Sequence, residues 1–381
     1  MDTCDVVVVG LGAMGSAALY ALARRRVRVI GIDRFDPPHD RGSSHGESRV
    51  FRMAYFEDPA YVPLLRLALE QWRSLEEYTG EQVLTVTGVL EAGFPGAPQV
   101  QGSLRSSIQH GLAHEILRAS EVNKRFPAFS LPSDWDCVFQ PDGGVLCPGK
   151  AIRLFLSAAR ALGVQVRTNT AVRDVRPVTD HVEVLLESGE VIESGSAVLA
   201  AGPWIADLLP ELRAHLTLTR QPLVWFRPKD PELVKGDRMP VFSLQTENDL
   251  IYGFPDIFGT GVKTASHLSG GGMSRPDGPR SEVSAGEKAA LRAVLERYVP
   301  AAAGSSSNET TCIYTRTSDG HFVLGLHPDK PQIVLASPCS GHGFKFSSIV
   351  GEVLADLATT QITNKLIDLF RPSRFVKASR P

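Results

Sequence analysis

The sequence predicts a protein that combines an α/β unit at the N-terminus with an α+β region of sheet strands. Three observations support this fold class. Residues 6–9 are a continuous β-branched run followed at once by glycines, as in a strand buried on both faces. Apolar residues then recur at helical spacing, and strand-like segments return beyond residue 219. The 381 residues are enough for two domains.

The composition is that of an ordinary globular protein, with 43% hydrophobic and 22% charged residues. The formal net charge of -2 predicts no general attraction to nucleic acid or to an anionic membrane. The arginine run at residues 24–26 follows the predicted first helix, where cations complement the negative helix end.

The first residues do not resemble a signal peptide, because the apolar run is short and leads directly into glycines. No stretch reaches the roughly 20 apolar residues that a spanning helix needs, so we expect a cytoplasmic protein. The cysteines share no metal-ligand spacing, and we expect no metal site and, by default, free thiols. They are Cys4, Cys137, Cys147, Cys312 and Cys339.

The first helix is predicted from Met14, Ala18 and Leu22, whose spacing gives one apolar face. A second strand over residues 27–32 ends at Asp33. Strand, glycine loop, helix, strand and terminal acid in this order are typical of a Rossmann-like dinucleotide-binding unit.

The glycines suit the three tasks of such a loop. Gly10 makes the tight turn, Gly12 lets the backbone approach a pyrophosphate, and Gly15 allows the helix to pack closely on the strand. The pyrophosphate then lies at the helix N-terminus, and Asp33 accepts a hydrogen bond from the adenosine ribose. This arrangement serves NAD and FAD alike.

The chain after Asp33 favours a flavoprotein over an NAD enzyme, which would be expected to continue with regular βαβ units. Residues 36–49 form a polar, turn-rich loop that offers hydroxyls, amides and an arginine to a long polar ligand, or serves as a surface connection. A helix over residues 152–162 and a series of strands between 164 and 200 follow.

The second region is predicted to supply a second sheet. Residues 223–226, 240–244 and 250–254 have the character of sheet strands. A flexible loop is expected from 268 to 284, and a helix from 285 to 298.

Three segments together resemble the family of monomeric sarcosine oxidase, which includes N-methyltryptophan and pipecolate oxidases. They are residues 42–49 (Gly-Ser-Ser-His-Gly-Glu-Ser-Arg) with Arg52, residues 312–322 (Cys-Ile-Tyr-Thr-Arg-Thr-Ser-Asp-Gly-His-Phe) and residues 340–347 (Ser-Gly-His-Gly-Phe-Lys-Phe-Ser). The resemblance extends to about residue 370. One departure is Ser318, where the family has proline, which would stiffen the turn.

The resemblance implies an interleaved layout in which a mixed-sheet substrate domain covers the flavin. It places an FAD-binding Rossmann-like domain in residues 1–86, 148–218 and 311–381, and a substrate domain in residues 87–147 and 219–310. It also implies FAD bonded covalently to Cys312 and a monomeric protein.

The resemblance assigns site residues as well. Lys263 is expected to activate oxygen, and Arg52 and Lys345 to bind the substrate carboxylate. Tyr252, His267 and Tyr314 are expected to line the substrate cavity. The further expected FAD contacts are Asp33, Arg34, Ser43, Ser44, Arg49, Val172, Gly343, Phe344 and Lys345.

Taken one at a time, these residues also have structural interpretations. Cys312 alone fits a buried strand residue, and Lys263 alone fits an exposed strand lysine. Arg52 suits a structural ion pair as well as ligand binding, and His267 suits either a catalytic role or an ordinary hydrogen-bonding one.

The expected activity is oxidation of a sarcosine-like secondary amine by FAD, with oxygen as acceptor and hydrogen peroxide as product. The alternative substrates are a cyclic imino acid such as pipecolate or proline, a larger N-methyl amino acid, or a glycated amino acid. A dehydrogenase with another acceptor and a catalytically silent flavoprotein are further alternatives, which Lys263 and the three cations together disfavour.

Overall fold

The computed structural model describes residues 2–267, 270–337 and 340–376, and the predicted mixed α/β fold is confirmed. The helices, numbered along the chain, are α1 Ala13–Arg24, α2 Val62–Thr79, α3 Pro98–His110, α4 Ala119–Arg125, α5 Pro148–Ala161, α6 Ile205–Leu208, α7 Ala285–Tyr298 and α8 Ser347–Thr360. Short 3-10 turns include Gly202–Trp204 and Phe344–Phe346.

The strands carry the site and are numbered in the same way. They are β1 Asp2–Val9, β2 Val29–Ile32, β3 Arg49–Phe51, β4 Leu84–Val86, β5 Val89–Gly93, β6 Glu115–Arg118, β7 Asp136–Gln140, β8 Gly144–Leu146, β9 Gln165–Arg167, β10 Val172–Pro177, β11 Val182–Leu186, β12 Val191–Leu199, β13 Leu216–Phe226, β14 Val241–Gln245, β15 Leu250–Phe254, β16 Val262–Ser266, β17 Gly271–Met273, β18 Ser306–Thr317, β19 Val323–Leu326 and β20 Ile333–Ser337.

The first large sheet has eight strands, with β1 parallel to β2 on one side and to β12 on the other. The path β10-β11-β12-β1-β2-β9 is extended by β20, which is parallel to β12, and by β19 beside β20. Helices α1, α5 and α8 contribute to one core cluster on this sheet. Residues 6–9 of β1 and all of β2 are buried, as expected for strands covered on both faces.

Close packing of α1 on the sheet depends on Gly15. A Cβ atom at this position would lie 1.7 Å from the carbonyl oxygen of Gly10, which is far inside contact distance. Gly10 itself has a φ of +87°, in the left-handed region that glycine adopts without strain. The first turn of the helix therefore approaches the end of β1 as the sequence predicts.

The second large sheet has nine strands in the order β17-β13-β16-β15-β14-β5-β7-β6, with β18 paired to β13. Its neighbours along the path are mostly antiparallel, but β14 and β5 are parallel. Helix α7 packs on it through Leu291 and Leu295. A separate sheet of three short strands joins β3, β8 and β4.

The predicted domain boundaries remain a prediction, and two strands cross them. β13 runs through the boundary at 218/219, and β18 runs through that at 310/311. The two strands pair along their length, from Leu216 with Thr317 to Phe226 with Ser306. Cys312 therefore lies in the second sheet, although its segment was assigned to the FAD domain.

Several local predictions can be compared with the structure. Helix α7 has the predicted bounds, 285–298, and α1 ends at Arg24 within the arginine run. The predicted series of strands between 164 and 200 ends in one continuous strand, β12. The predicted loop from 268 to 284 contains the short strand β17, which pairs with β13; residues 268 and 269 lie outside the described residues.

Within the described part of the chain, no helix is long and apolar enough to cross a membrane. The described cysteines carry free thiols, three of them buried and Cys147 partly exposed. Cys339 lies outside the described residues.

Candidate active site

A long cavity of about 460 Å³ begins at the carboxyl ends of β1 and β2 and runs toward the start of α8. Its lining contains most of the residues predicted to contact FAD. These are Gly10, Gly12, Asp33, Arg34, Ser43, Ser44, Arg49, Val172, Gly343, Phe344 and Lys345. Gly15 and Cys312 are not in the lining: Gly15 lies beneath the glycine turn, and Cys312 lies next to Ser43.

The glycine end of the cavity is suited to a phosphate group. Helix α1 starts after Gly12, which has no side chain to cap it, and the positive end of the helix favours an anion there. The Ala13 amide donates to Ser44 Oγ over 3.3 Å. A Cβ atom on Gly12 would meet only that hydroxyl, at 3.5 Å, which leaves open space in front of the loop.

Asp33 closes the end of β2 and holds the glycine loop. Its Oδ2 accepts from the Leu11 amide over 2.7 Å, and its Oδ1 accepts from the Phe35 amide over 2.8 Å. The side chain is buried but belongs to the cavity lining. Each oxygen keeps a second lone pair for a ligand hydroxyl.

Two buried hydroxyls support a polar ligand in the cavity. Ser43 Oγ and Thr315 Oγ1 have no hydrogen-bond partner among the described residues, and both residues line the cavity. Buried polar atoms are nearly always paired in a folded protein. With the glycine loop and Asp33, these hydroxyls fit FAD.

Cys312 lies on β18 beside the cavity and is 2% exposed. Its Sγ is 3.5 Å from the Ser43 carbonyl oxygen and 3.7 Å from Nη2 of Arg49. The same Arg49 nitrogen donates to the carbonyl oxygens of Ser43 and His45, over 2.9 and 2.7 Å. Arg49 therefore joins the sulfur of Cys312 to the loop of residues 43–45.

Lys263 is buried rather than exposed, with 2% of its surface accessible. Its Nζ donates to the carbonyl oxygen of Ser48 over 2.8 Å and to Ser48 Oγ over 3.1 Å. The rings of Phe254 and Trp225 lie 4.8 and 5.6 Å from this nitrogen. Burial and the positive charge of Arg49 hold the pKa of Lys263 well below its usual range.

Glu47 supports the wall around Lys263. It was not among the predicted site residues, although it lies within the motif of residues 42–49. One of its oxygens accepts from Trp225 Nε1 and from Thr260 Oγ1, each over 2.8 Å. Its negative charge raises the pKa of Lys263 and so opposes the effect of burial.

Arg52 is buried and paired with Glu57. Nη2 donates to both carboxylate oxygens of Glu57 over 2.7 Å, and the guanidinium lies between the rings of Tyr55 and Phe56, at 4.5 and 4.2 Å. Burial alone would raise the pKa of Glu57, but Arg52, with His342 and Lys345, lowers it to about 2. The ion-pair interpretation of Arg52 is thus present in the structure.

Lys345 lies in the 3-10 turn that precedes α8 and is 2% exposed. Its Nζ donates to the carbonyl oxygen of His342 over 2.8 Å. Burial, with the charge of Arg52, lowers the pKa of Lys345 to about 7, although Glu57 and Glu91 act in the opposite direction. A buried ammonium in these surroundings gains by binding an anion.

Three predicted pocket residues form one group with Tyr314 at its centre. Tyr314 lines the cavity, and its hydroxyl is 3.2 Å from that of Tyr252. The His267 ring lies 5.8 Å from the Tyr314 ring. Burial lowers the pKa of His267 to about 4, so this imidazole is neutral at physiological pH. Arg52, Lys263, Tyr252 and His267 are not in the cavity lining.

His342 was not predicted as a site residue, although it lies inside a recognised motif. It lines the cavity, and its Nδ1 and Nε2 lie 2.5 Å from the Tyr55 hydroxyl and 3.0 Å from the Gly320 carbonyl oxygen. The carbonyl needs a donor, so Nε2 carries the proton and Nδ1 accepts from Tyr55. Burial lowers the pKa of His342 to about 3.

The arrangement combines a cavity for FAD with buried cations nearby. Arg52 and Lys345 are suited to a carboxylate, because buried cations bind such a group in paired, hydrogen-bonded geometry. Lys263 is a separate buried lysine on the second sheet. The described residues contain no group of His, Cys, Asp and Glu suited to a metal ion.

Comparison with known proteins identifies the family of this chain. Residues 5–357 match the family model described as FAD dependent oxidoreductase. Monomeric sarcosine oxidase of Bacillus sp. (strain B-0618) is 37% identical over 375 residues, which cover 97% of this chain and 96% of the relative. N-methyl-L-tryptophan oxidase of Yersinia pestis (strain Pestoides F) is 30% identical over 97% of this chain and 99% of the relative.

A solved structure of NikD, an unusual amino acid oxidase essential for nikkomycin biosynthesis, has the same fold. It superimposes with a TM-score of 0.86 at 24% identity and covers 98% of both chains. The match of the family model and the two long sequence alignments show that this chain belongs to the FAD dependent oxidoreductase family, together with monomeric sarcosine oxidase and N-methyl-L-tryptophan oxidase.

Proposed function

We propose that this protein is an FAD-dependent oxidase of a sarcosine-like N-methyl amino acid, with oxygen as the electron acceptor. One observation carries the proposal: Arg52 and Lys345, both at least 95% buried, lie together beside a cavity that fits FAD. Such buried cations suit a substrate that has a carboxylate next to its reacting amine. The names of the two relatives, sarcosine and N-methyl-L-tryptophan oxidase, agree with this substrate class.

The protein's part in the reaction is to orient the amine. Bound FAD would accept one hydride, which carries two electrons, from the C–H bond beside the nitrogen, and water would hydrolyse the resulting imine. Arg52 and Lys345 hold the carboxylate at one end. Tyr252, His267 and Tyr314 enclose the other end, and the neutral His267 accepts or donates a hydrogen bond without adding charge. For sarcosine, the products are glycine and formaldehyde.

Lys263 serves the second half of the reaction. Oxygen accepts electrons through anionic states, and a fixed cation in a dry site stabilises these states as they form. Lys263 is held by Ser48 and enclosed by Trp225 and Phe254. It therefore needs no reorganisation before it acts, and oxygen leaves as hydrogen peroxide.

The proposal has two finer parts. Cys312 is the attachment point of a covalent FAD, because its sulfur is buried beside the cavity and close to Arg49. The protein acts as a monomer, in line with the name of its Bacillus relative. The interleaved domains, from 1–86, 148–218 and 311–381 on one side and 87–147 and 219–310 on the other, remain part of the same proposal.

The test is peroxide release in air from a panel of amines: sarcosine, N-methyltryptophan, pipecolate, proline and a fructosyl amino acid. We expect turnover of an N-methyl amino acid and little from the fructosyl compound. Turnover of a cyclic imino acid alone would move the substrate to that class. A flavin-loaded protein that releases no peroxide with any of them contradicts the proposal.

A further inference from the structure

A second carboxylate, that of Glu91, lies beside Arg52 and has no part in the function proposed above. Glu91 is 0% exposed and belongs to β5, in the interior of the nine-stranded sheet. Its Oε1 is 3.9 Å from Nη1 of Arg52. A buried carboxylate is costly unless it is paired and hydrogen-bonded, so its place beside Arg52 calls for a functional explanation.

Two glutamine amides donate hydrogen bonds to the carboxyl group of Glu91. Gln140 Nε2 donates to Oε2 over 2.9 Å, and Gln99 Nε2 donates to Oε1 over 3.3 Å. An ionised carboxyl group only accepts hydrogen bonds, which is the pattern seen at both oxygens. Burial raises the pKa of Glu91. The charge of Arg52 and the side chains of Ser103 and Gln99 act against this rise, and the charge of Glu57 adds to it.

The same network fixes Glu91 relative to Arg52. Gln140 Oε1 accepts from the amide of Ala54 over 2.8 Å. Arg52 Nη1 donates to the carbonyl oxygen of Ala54 over 3.0 Å. Ala54 therefore connects the guanidinium of Arg52 directly, and Glu91 through Gln140. Neither group can move without breaking one of these buried hydrogen bonds.

Glu57 and Glu91 differ in how easily they leave Arg52. The Glu57 side chain is 17% exposed and lies outside helices and strands. Glu91 sits between β14 and β7, with main-chain pairing on both sides. A substrate carboxylate therefore competes with Glu57 for the guanidinium, while Glu91 stays in place.

The summed charge of Arg52, Lys345 and Glu91 then limits how many carboxylates a bound substrate can carry. Arg52 and the protonated form of Lys345 are cationic, and the ionised form of Glu91 is an anion that stays beside them. One substrate carboxylate in place of Glu57 makes the group neutral, and a second carboxylate leaves a buried charge without compensation. If Glu57 stays near, a second carboxylate is disfavoured still more.

We propose that Glu91 is a specificity-determining residue that restricts the substrate to amino acids with a single carboxylate. The inference rests on the proposed function, since it assumes that Arg52 and Lys345 bind the substrate carboxylate. It defines the substrate class more narrowly: N-methyl amino acids with neutral side chains bind, and acidic ones such as N-methylaspartate are rejected.

The variant Glu91→Gln tests this with little change of shape. It removes the charge, keeps an acceptor for Gln140, and presents an amide N–H toward Gln99. Gln99 Oε1 has no partner among the described residues and accepts that N–H after a flip of its own amide. Glu309→Gln is the matched control, because Glu309 pairs with Lys288 at the surface and is 37% exposed.

The probes are two thioethers that cannot be oxidised as amines: (methylthio)acetate, with one carboxylate, and (methylthio)succinate, with two. Their dissociation constants are measured in neutral buffer from the change in flavin absorbance. The wild-type holoenzyme is expected to prefer the monocarboxylate. In Glu91→Gln the dissociation constant of the dicarboxylate divided by that of the monocarboxylate falls about ten- to hundredfold, as expected for one charge removed a few ångströms away. In Glu309→Gln this ratio does not change.

An unchanged ratio in Glu91→Gln overturns the inference alone. So does a wild-type protein that binds both thioethers equally well, a result that needs no variant. If neither thioether perturbs the wild-type flavin, the carboxylate site itself is wrong, and the proposed function falls with the inference. The conservative variant Glu91→Asp keeps the charge and is expected to keep the wild-type preference.

Discussion

Arg52 donates from one guanidinium nitrogen to both carboxylate oxygens of Glu57, each over 2.7 Å. The residue expected to bind the substrate carboxylate is thus already bound to a carboxylate of the protein. Glu57 is the more exposed partner, so under the proposed function a substrate carboxylate would replace Glu57 on Arg52. The strength of that internal pair then sets part of the apparent affinity for substrate.

Weakening the internal pair is expected to improve substrate binding. In Glu57→Gln the competing charge is lost, so Arg52 is freer to bind a substrate carboxylate, and KM falls by about tenfold. Steady-state peroxide assays measure this effect. Glu70→Gln, at an exposed position of α2, is the control and leaves KM unchanged. A rise in KM in Glu57→Gln would show that Glu57 positions Arg52 instead of competing for it.

Removal of the charge of Lys263 should separate the two halves of the reaction. In Lys263→Met, reduction of the flavin by substrate without air stays largely intact, while reoxidation by oxygen slows by about a hundredfold or more. Stopped-flow absorbance follows both steps. Lys235→Met, which removes an exposed lysine, is the control. Reoxidation at the wild-type rate in Lys263→Met refutes the assignment.

The proposed covalent bond between FAD and Cys312 is tested by replacing the cysteine. Acid-precipitated wild-type protein is expected to stay yellow, whereas Cys312→Ala releases its flavin to the supernatant. Cys137→Ala, at another buried thiol, keeps the flavin with the protein. The measurement is flavin absorbance in pellet and supernatant. Release of all flavin from the wild type would leave FAD as a dissociable cofactor.

Carboxylate binding should weaken as pH rises through neutrality. The pKa of Lys345 is lowered to about 7, first by burial and then by Arg52, so above this pH the free site loses its ammonium charge. Glu57, His342 and His267 have pKa values of about 2, 3 and 4 and do not titrate there.

The dissociation constant of (methylthio)acetate therefore rises with pH above about 7, by at most about tenfold per pH unit. Binding takes up a proton in that range, because the bound anion restores the charge of Lys345. In Lys345→Met the affinity is lower and the pH dependence flat. A wild-type profile that is flat across the same range contradicts the lowered pKa of this lysine.

Gly15 is expected to tolerate no side chain. In Gly15→Ala the new Cβ meets the Gly10 carbonyl oxygen at 1.7 Å, so the loop shifts at a cost of about 1–3 kcal/mol or more. This outweighs the gain of about 1 kcal/mol in helix propensity. The midpoint temperature of thermal unfolding and the flavin content of the purified protein are both expected to fall. Gly149→Ala, in the first turn of α5 with its nearest contact at 3.6 Å, serves as the control; equal stability of the two variants would contradict the argument.

The sequence predicted those features that depend on local pattern. The glycine loop, α1 and the acid at Asp33 follow from spacing along the chain, and α7 was placed at its observed bounds. The motif around Cys312 and Lys345 pointed to the right part of the fold, because the same segments form the cavity.

Other features depend on contacts between distant segments and escaped prediction. In the sequence Glu91 is a single acidic residue in a short apolar segment. Only the folded structure shows that its Oε1 lies 3.9 Å from Nη1 of Arg52. Burial of Lys263 depends on Trp225 and Phe254 from neighbouring strands. Glu57 could have been suspected, since it follows Arg52 by five positions in a segment rich in aromatic residues.

The most direct test of the proposed activity is an anaerobic titration of the holoenzyme with sarcosine, followed by admission of air. The proposal predicts that the yellow flavin bleaches fully, that formaldehyde appears in proportion, and that oxygen restores the colour with one equivalent of peroxide. Bleaching without peroxide on reoxidation would show a dehydrogenase. A flavin that no N-methyl amino acid bleaches would contradict the proposed function.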